Sequence, residues 1–396
     1  MKHLLLRLVV PCLVAAGASA QAQDTTAPTA WSAAAERAPA VDLREELKML
    51  RVTVKDMYGR AETREIPVTI YRPAGDAKHP LVVLNHGRAT TDKRATQGRS
   101  RPEVQARWLV NKGFVVMVPT RVGYADTFGE FDPESSGNCR DRRVEPMHQA
   151  VVEQILATVE LARSLSYVDA ARWVVMGQSV GGQSSVATLA VNPPGLVGGI
   201  NFSGGSGGDP ERNPGQPCSP QQLGQYWGKL AAGAKAPMLW LYWENDRYWG
   251  ADTPKDWRKA WAEGGGQVDF HQLPPSGKDG HLGFGQDMDH WAPLAEAYLA
   301  KLGFTVSGMP LRPAATGFAP VDDLDKLPYV SAANKDSQYR RFLQGSKPRA
   351  FAINDRGGYG WATGDWAIGR ALGNCERTGR RCRLYAVDDD VVWSAP

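Results

Sequence analysis

Cysteine is scarce in this chain of 396 residues: there are five, and no pair stands in the CxxC spacing typical of structural zinc. No histidine follows His290, so the two cysteines nearest the C-terminal end have no imidazole after them to complete such a site. A charge excess of one sign is also missing. The net charge is +4, and setting aside the two positive residues Lys2 and Arg7 leaves +2, too little to point to nucleic acid or a membrane surface as the partner. No apolar run is long enough to span a bilayer. No internal repeat of the solenoid or propeller kind is present either. What is there is an ordinary globular balance, 42% hydrophobic against 22% charged, able to bury a large core and unlike a disordered chain.

The most informative stretch is Gly177-Gln178-Ser179-Val180-Gly181. A GxSxG pentapeptide between an apolar strand and a helix puts a serine on a sharp, strained turn with its hydroxyl exposed. Residues 172–176 (RWVVM) read as the strand. Residues 180–191, rich in small side chains at Gly181, Gly182, Ser184, Ser185 and Ala187, read as the helix packed closely behind it. The alternative is a tight glycine turn whose serine only caps the helix. The choice turns on whether an acid and a histidine follow, each after its own strand. The run 237–243 (PMLWLYW) has the continuous apolar pattern of a strand buried on both faces and ends at Glu244-Asn245-Asp246. Asp246 is the expected acid and Glu244 its competitor. Residues 268–273 read as a further strand, followed by the polar, glycine-rich loop 274–281, where His281 is the expected general base. His271 lies inside that strand and His290 opens an amphipathic helix, so both read as packing or surface residues. Strand 80–84 runs into Asn85-His86-Gly87-Arg88. Gly87 there lets the backbone approach a substrate, and the Arg88 amide pairs with the Val180 amide as two donors to a developing oxyanion. His86 precedes the serine in the chain and reads as structural.

Strand patterns at 80–86, 114–119, 172–176, 197–202, 237–243 and 268–273 alternate with helical periodicity at 104–112, 147–165, 221–232, 254–262 and 290–302. That alternation predicts an α/β fold with a doubly wound, mostly parallel sheet, entered by an antiparallel pair at 50–56 and 65–71. Its chemistry belongs on the loops at the carboxyl ends of the strands. Five ordered motifs carry a resemblance: LVVLNHGR (81–88), GFVVMVPTRVGYADTFG (113–129), GQSVGG (177–182), YWENDRYW (242–249) and DGHLGFG (279–285). Through them, residues 41–304 resemble the α/β hydrolase superfamily, and within it the dienelactone hydrolase and prolyl oligopeptidase-like branch. The resemblance implies Ser179, Asp246 and His281 as a catalytic triad, with the Val180 and Arg88 amides as the oxyanion hole; no cofactor is called for. One departure matters. True dienelactone hydrolases use a cysteine nucleophile where Ser179 stands here, so their lactone substrate does not carry over.

The chain divides by composition. Residues 1–22 read as an export signal, with Lys2 and Arg7, an apolar core at 8–16 and the small residues Ala18-Ser19-Ala20. Cys12, beside Pro11, falls too early for a lipidation site. Residues 23–40 read as a flexible leader, 41–305 as the catalytic domain, 306–345 as a linker or strap, and 346–396 as a small α+β accessory domain. A periplasmic or secreted location permits disulfides, and removal of Cys12 leaves four cysteines. The favoured pairs are Cys139 with Cys218, in loops at strand ends facing the site, and Cys375 with Cys382 in the terminal module. Together these readings predict a secreted serine esterase acting on a small-molecule carboxylic ester, with no nucleic-acid partner and no membrane span. A serine peptidase or amidase acting on small peptides, and an envelope binding protein that kept the fold without catalysis, stay open as alternatives. Arg88, Lys93, Arg94, Arg99 and Arg101, with Arg140, Arg142 and Arg143, either favour a carboxylate-bearing substrate or form a solvated basic face. Trp243, Tyr248 and Trp249 flank Asp246, either as packing or as a stacking surface.

Overall fold

The valine-, leucine- and methionine-rich runs assemble into one large sheet because they are apolar on both sides and need cover on both faces. In the computed structural model, which describes residues 43–73, 75–305, 315–364, 367–377, 380 and 382–394, the strands run in chain order β1 (Glu46–Lys55), β2 (Ala61–Tyr71), β3 (His79–Asn85) and β4 (Val115–Pro119). The small hairpin β5 (Gly137–Asn138) and β6 (Asp141–Arg142) intervenes before β7 (Val168–Gln178), β8 (Leu196–Phe202), β9 (Met238–Trp243) and β10 (Val268–Leu273). Without the hairpin they form an eight-stranded sheet in the order β1-β2-β4-β3-β7-β8-β9-β10. β1, β2 and β4 pair antiparallel, and every pairing from β4 through β10 is parallel. The expected export signal, the leader and Cys12 lie outside the described residues.

Helices cover both faces. Along β3, Leu81 and Val83 join a core beneath α2 (Val144–Arg163), α3 (Val180–Ala190), α4 (Pro220–Ala231) and α5 (Thr253–Glu263). Val82 and Leu84 point to the opposite core, beneath α1 (Glu103–Asn111) and α6 (Met288–Lys301). This strict alternation is what a strand buried on both faces requires. Among the described residues, no helix is long and apolar enough to cross a membrane.

The C-terminal residues form a second, antiparallel sheet, β12-β11-β13-β14, from β11 (Arg349–Ile353), β12 (Tyr359–Thr363), β13 (Arg383–Val387) and β14 (Asp390–Val391). Ala350 and Ala352 of β11 pack against α7 (Ala367–Glu376), while Phe351 and Ile353 face Leu327, Val330, Tyr339 and Phe342. Within the stretch 306–345 read as a linker or strap, Leu327, Val330, Tyr339 and Phe342 join the small unit's core, and the chain is helical from Ala332 to Gln344. Both favoured cysteine pairs are joined, Cys139 to Cys218 and Cys375 to Cys382.

The small unit is pressed against the large one through α7 and α1. Gly373 makes this approach possible, since a Cβ there would lie 2.0 Å from Val104. Arg107 and Glu376 meet across the contact at 3.6 Å, with side chains 5% exposed on each side, and Arg370 bonds Asp289 at 2.9 Å. Gly373→Val is therefore expected to overpack the contact and cost about 1–3 kcal/mol, read as a lower urea midpoint of unfolding. An unchanged midpoint contradicts the close approach.

Candidate active site

β7 ends at Gln178 and α3 begins at Val180, so Ser179 alone makes the turn between them. Its backbone takes φ 59° and ψ −124°, a region that a residue with a side chain occupies only when its surroundings hold it there. They do so through the Ser179 amide, which donates to the Phe202 carbonyl at 2.9 Å, and the Ser179 carbonyl, which accepts from Gln183 (3.0 Å) and Gly205 (3.2 Å). The helix can start this close to the sheet because residue 181 is glycine: a Cβ would sit 2.1 Å from the Asn85 carbonyl oxygen. Ser179 is 8% exposed and opens onto a cavity of about 580 Å³, which Arg88, Lys93, Val180, Tyr248 and Trp249 also line.

The acid and the histidine arrive from β9 and β10. Glu244 leaves the end of β9 exposed, whereas Asp246 turns inward and is 2% exposed. Asp246 Oδ1 accepts the amides of Tyr248 (2.8 Å) and Trp249 (3.1 Å), and His281 Nδ1 lies 3.0 Å from Asp246 Oδ2. A carboxylate in this position fixes the imidazole with its proton on Nδ1 and its Nε2 turned away. His281 Nε2 is buried and has no hydrogen-bond partner, so the serine–imidazole bond is open in this structure. His271 pairs with Asp269 and exposed His290 with Asp287, both apart from this arrangement.

Four residues outside the expected triad hold the geometry. Asp279 Oδ1 accepts the amides of both His281 and Arg247 at 3.0 Å, tying the base loop to the acid loop. Gln178, the residue before the serine, donates through Nε2 to the His281 carbonyl at 2.9 Å. Tyr248 stacks on the His281 ring with centroids 3.9 Å apart, and Trp249 meets it edge-on at 5.4 Å. The D-G-H sequence and the aromatics after Asp246 were the available signals; contacts across the loops are not written in either.

Behind the Gly87-Arg88 loop sits a buried ionic network. Glu134 bonds Arg121 and Arg88 and accepts the Tyr124 hydroxyl at 2.9 Å. Asp132 takes Arg88 at 2.5 Å and Arg94 at 3.1 Å. Burial alone would push the Glu134 carboxyl up, yet the Arg121 and Arg88 guanidiniums outweigh it and hold it down at about 2. Burial, with the Arg121 charge, depresses His86 to about 3. His86 is thus a neutral structural group, with Nδ1 on the Gly87 carbonyl (2.7 Å) and Nε2 accepting the Arg121 amide (3.1 Å). The basic rim is largely spoken for: besides Arg88 and Arg94, Arg99 and Arg101 bond Glu45, and Arg142 is buried against the Ser206 and Cys218 carbonyls. Among the described residues, no cluster of three or more His, Cys, Asp or Glu side chains is arranged to hold a metal ion.

Of the expected site residues, Ser179, Val180 and Arg88 share one cavity, and Asp246 and His281 share one hydrogen bond beside it. No curated protein matches the sequence. Among solved structures, it is similar to a puromycin-hydrolysing peptidase of Mycobacterium tuberculosis, at 16% identity over 69% of this chain and 41% of that one, with a TM-score of 0.44. An acylaminoacyl peptidase of Pyrococcus horikoshii matches at 16% identity over 68% of this chain and 43% of that one, with a TM-score of 0.45. Acetyl xylan esterase 1 of Thermoanaerobacterium sp. matches at 16% identity over 66% and 88%, with a TM-score of 0.43. The chain thus spans less than half the length of the two peptidases. The dienelactone hydrolase family model matches residues 69–277, more than half of the sequence. By that match the chain belongs to the dienelactone hydrolase family, and its large sheet is an α/β hydrolase fold.

Proposed function

We propose that this hydrolase cleaves carboxylic esters, with Ser179 as nucleophile, His281 as general base and Asp246 as the group that orients the imidazole. The Val180 and Arg88 amides serve as oxyanion donors. The observation that carries the reading is a buried imidazole held through Nδ1 by a buried carboxylate, its Nε2 unpartnered, on a loop that the residue before the strained serine grips. His281 Nε2 takes the Ser179 proton as Oγ bonds the ester carbonyl carbon. The negative charge moves to the carbonyl oxygen, which the Val180 amide, at the first turn of α3 and without an intrahelical acceptor, is assigned to stabilise together with the Arg88 amide. Collapse returns the electron pair, breaks the bond to the alcohol oxygen and passes the proton from Nε2 to it. Water then repeats the sequence on the acyl enzyme. Each oxyanion donor contributes on the order of a hundredfold in rate. The two disulfides support an exported chain in an oxidising compartment.

Ser179→Ala removes only a hydroxyl at the turn, so hydrolysis of p-nitrophenyl acetate is expected to fall by roughly 10⁶-fold while the circular dichroism spectrum stays the same. Retained turnover sinks the assignment. Parallel assays on the corresponding anilides report whether amides are also cleaved.

The oxyanion loop depends on the network behind it, which gives stability a definite pH dependence. Glu134 is lowered from its ordinary 4.5 to about 2 and His86 from 6.5 to about 3, so the unfolded chain binds more protons than the folded one throughout those ranges. Stability is then complete above about pH 6.5; the His86 share is lost as pH falls towards 3 and the Glu134 share between 4.5 and 2. The urea midpoint should decline steadily below pH 6.5. Glu134→Gln should flatten the lowest part of that decline and cost roughly 3–5 kcal/mol at neutral pH, because two buried guanidiniums lose a counter-charge.

A further inference from the structure

A second cavity, of about 330 Å³, flanks the first. Gly87 and Gln178 line it, while their chain neighbours Arg88 and Ser179 line the serine cavity, so the two lie side by side along the same loop and turn. Leu84, Leu282 and Phe284 make its apolar surface. Leu282, directly after the proposed base, is 49% exposed, a large apolar side chain left uncovered beside the reacting centre. The terminal module contributes one residue, Arg377.

Arg377 directly follows α7, whose position is fixed by the Gly373–Val104 contact and by the Arg107–Glu376 and Arg370–Asp289 pairs. Those other charges on the helix are engaged; Arg377 is exposed and forms no ion pair among the described residues. A guanidinium held by a docked helix beside an apolar hollow suits a planar carboxylate attached to an apolar body, since the fork pairs both oxygens while the body covers the hydrocarbon walls.

We propose that this second cavity is a subsite for a carboxylate-bearing apolar arm of the substrate, with Arg377 as its counter-charge, so that the terminal module sets the substrate class. The arm belongs to the alcohol portion of the ester, because the cavity adjoins Leu282 and the neighbouring His281 is the group that protonates the departing alkoxide. The favoured substrates are esters of hydroxyaryl or hydroxyalkyl carboxylic acids. This inference rests on the esterase reading of Ser179.

The test uses the full chain and two acetyl esters, 4-acetoxybenzoate and phenyl acetate, which differ in the carboxylate. Arg377→Gln should lower the ratio of their kcat/KM values by about tenfold or more, through KM, as expected for loss of one charge-assisted contact. Arg377→Lys, which keeps the charge without the fork, should recover part of the ratio. An identical ratio in wild type and Arg377→Gln overturns the subsite. Calorimetric titration with benzoate is the independent arm: binding weakened in Arg377→Gln supports the subsite, and binding that is absent from the wild type or unaffected by the substitution overturns it. If the wild type hydrolyses neither ester, the esterase reading fails while the benzoate titration still decides the cavity's role.

Discussion

The passage of Gly181 over the Asn85 carbonyl is the constraint on which the rest depends. It lets α3 begin where a Cβ at position 181 would lie 2.1 Å from the Asn85 carbonyl oxygen, and so holds Ser179 in a backbone conformation costing on the order of 1–3 kcal/mol. That cost is bearable because β3, β7 and β8 are buried on both faces and cannot slide. A serine hydroxyl is a poor nucleophile in water. Here the fold fixes the backbone of Ser179 at the turn, and in the proposed mechanism a neighbouring base removes its proton.

Around His281, the protein uses short-range packing in place of net charge. Asp246 is satisfied by two amides and one imidazole, and the imidazole is covered by Tyr248 and Trp249. Low exposure strengthens the carboxylate–imidazole interaction and keeps competing water from Asp246. The Arg88 side chain shows the same economy: it is paired with Asp132 and Glu134, so the loop that carries its amide is anchored by its own side chain. Such a buried network contributes less to net stability than to a single defined loop position.

Much of this was legible in the chain. The strand over 237–243 announced itself by unbroken hydrophobicity, and the order serine, acid, histidine followed from the loops after β7, β9 and β10. Of the two acids after β9, Glu244 faces solvent and Asp246 is buried, because side chains alternate at the strand end and the chain must turn before an acid points inward. What could not be read were contacts between distant loops. Arg88 and its partners Asp132 and Glu134 are 44 and 46 positions apart, and nothing periodic links them. The anchors in residues 327–344 were hidden for a different reason: Leu327, Val330, Tyr339 and Phe342 are spread among Pro, Lys, Asp and Ser, so the average composition conceals a few well-placed side chains.

The junction of α7 with α1 bears on how such a chain can be shortened or recombined. A version ending after α6, near residue 305, would lose β11 to β14, strip Glu376 from Arg107 and expose Val104 to water. The appendage is therefore not freely exchangeable cargo: its removal leaves α1 with a buried arginine deprived of Glu376 and an apolar side chain lacking its cover.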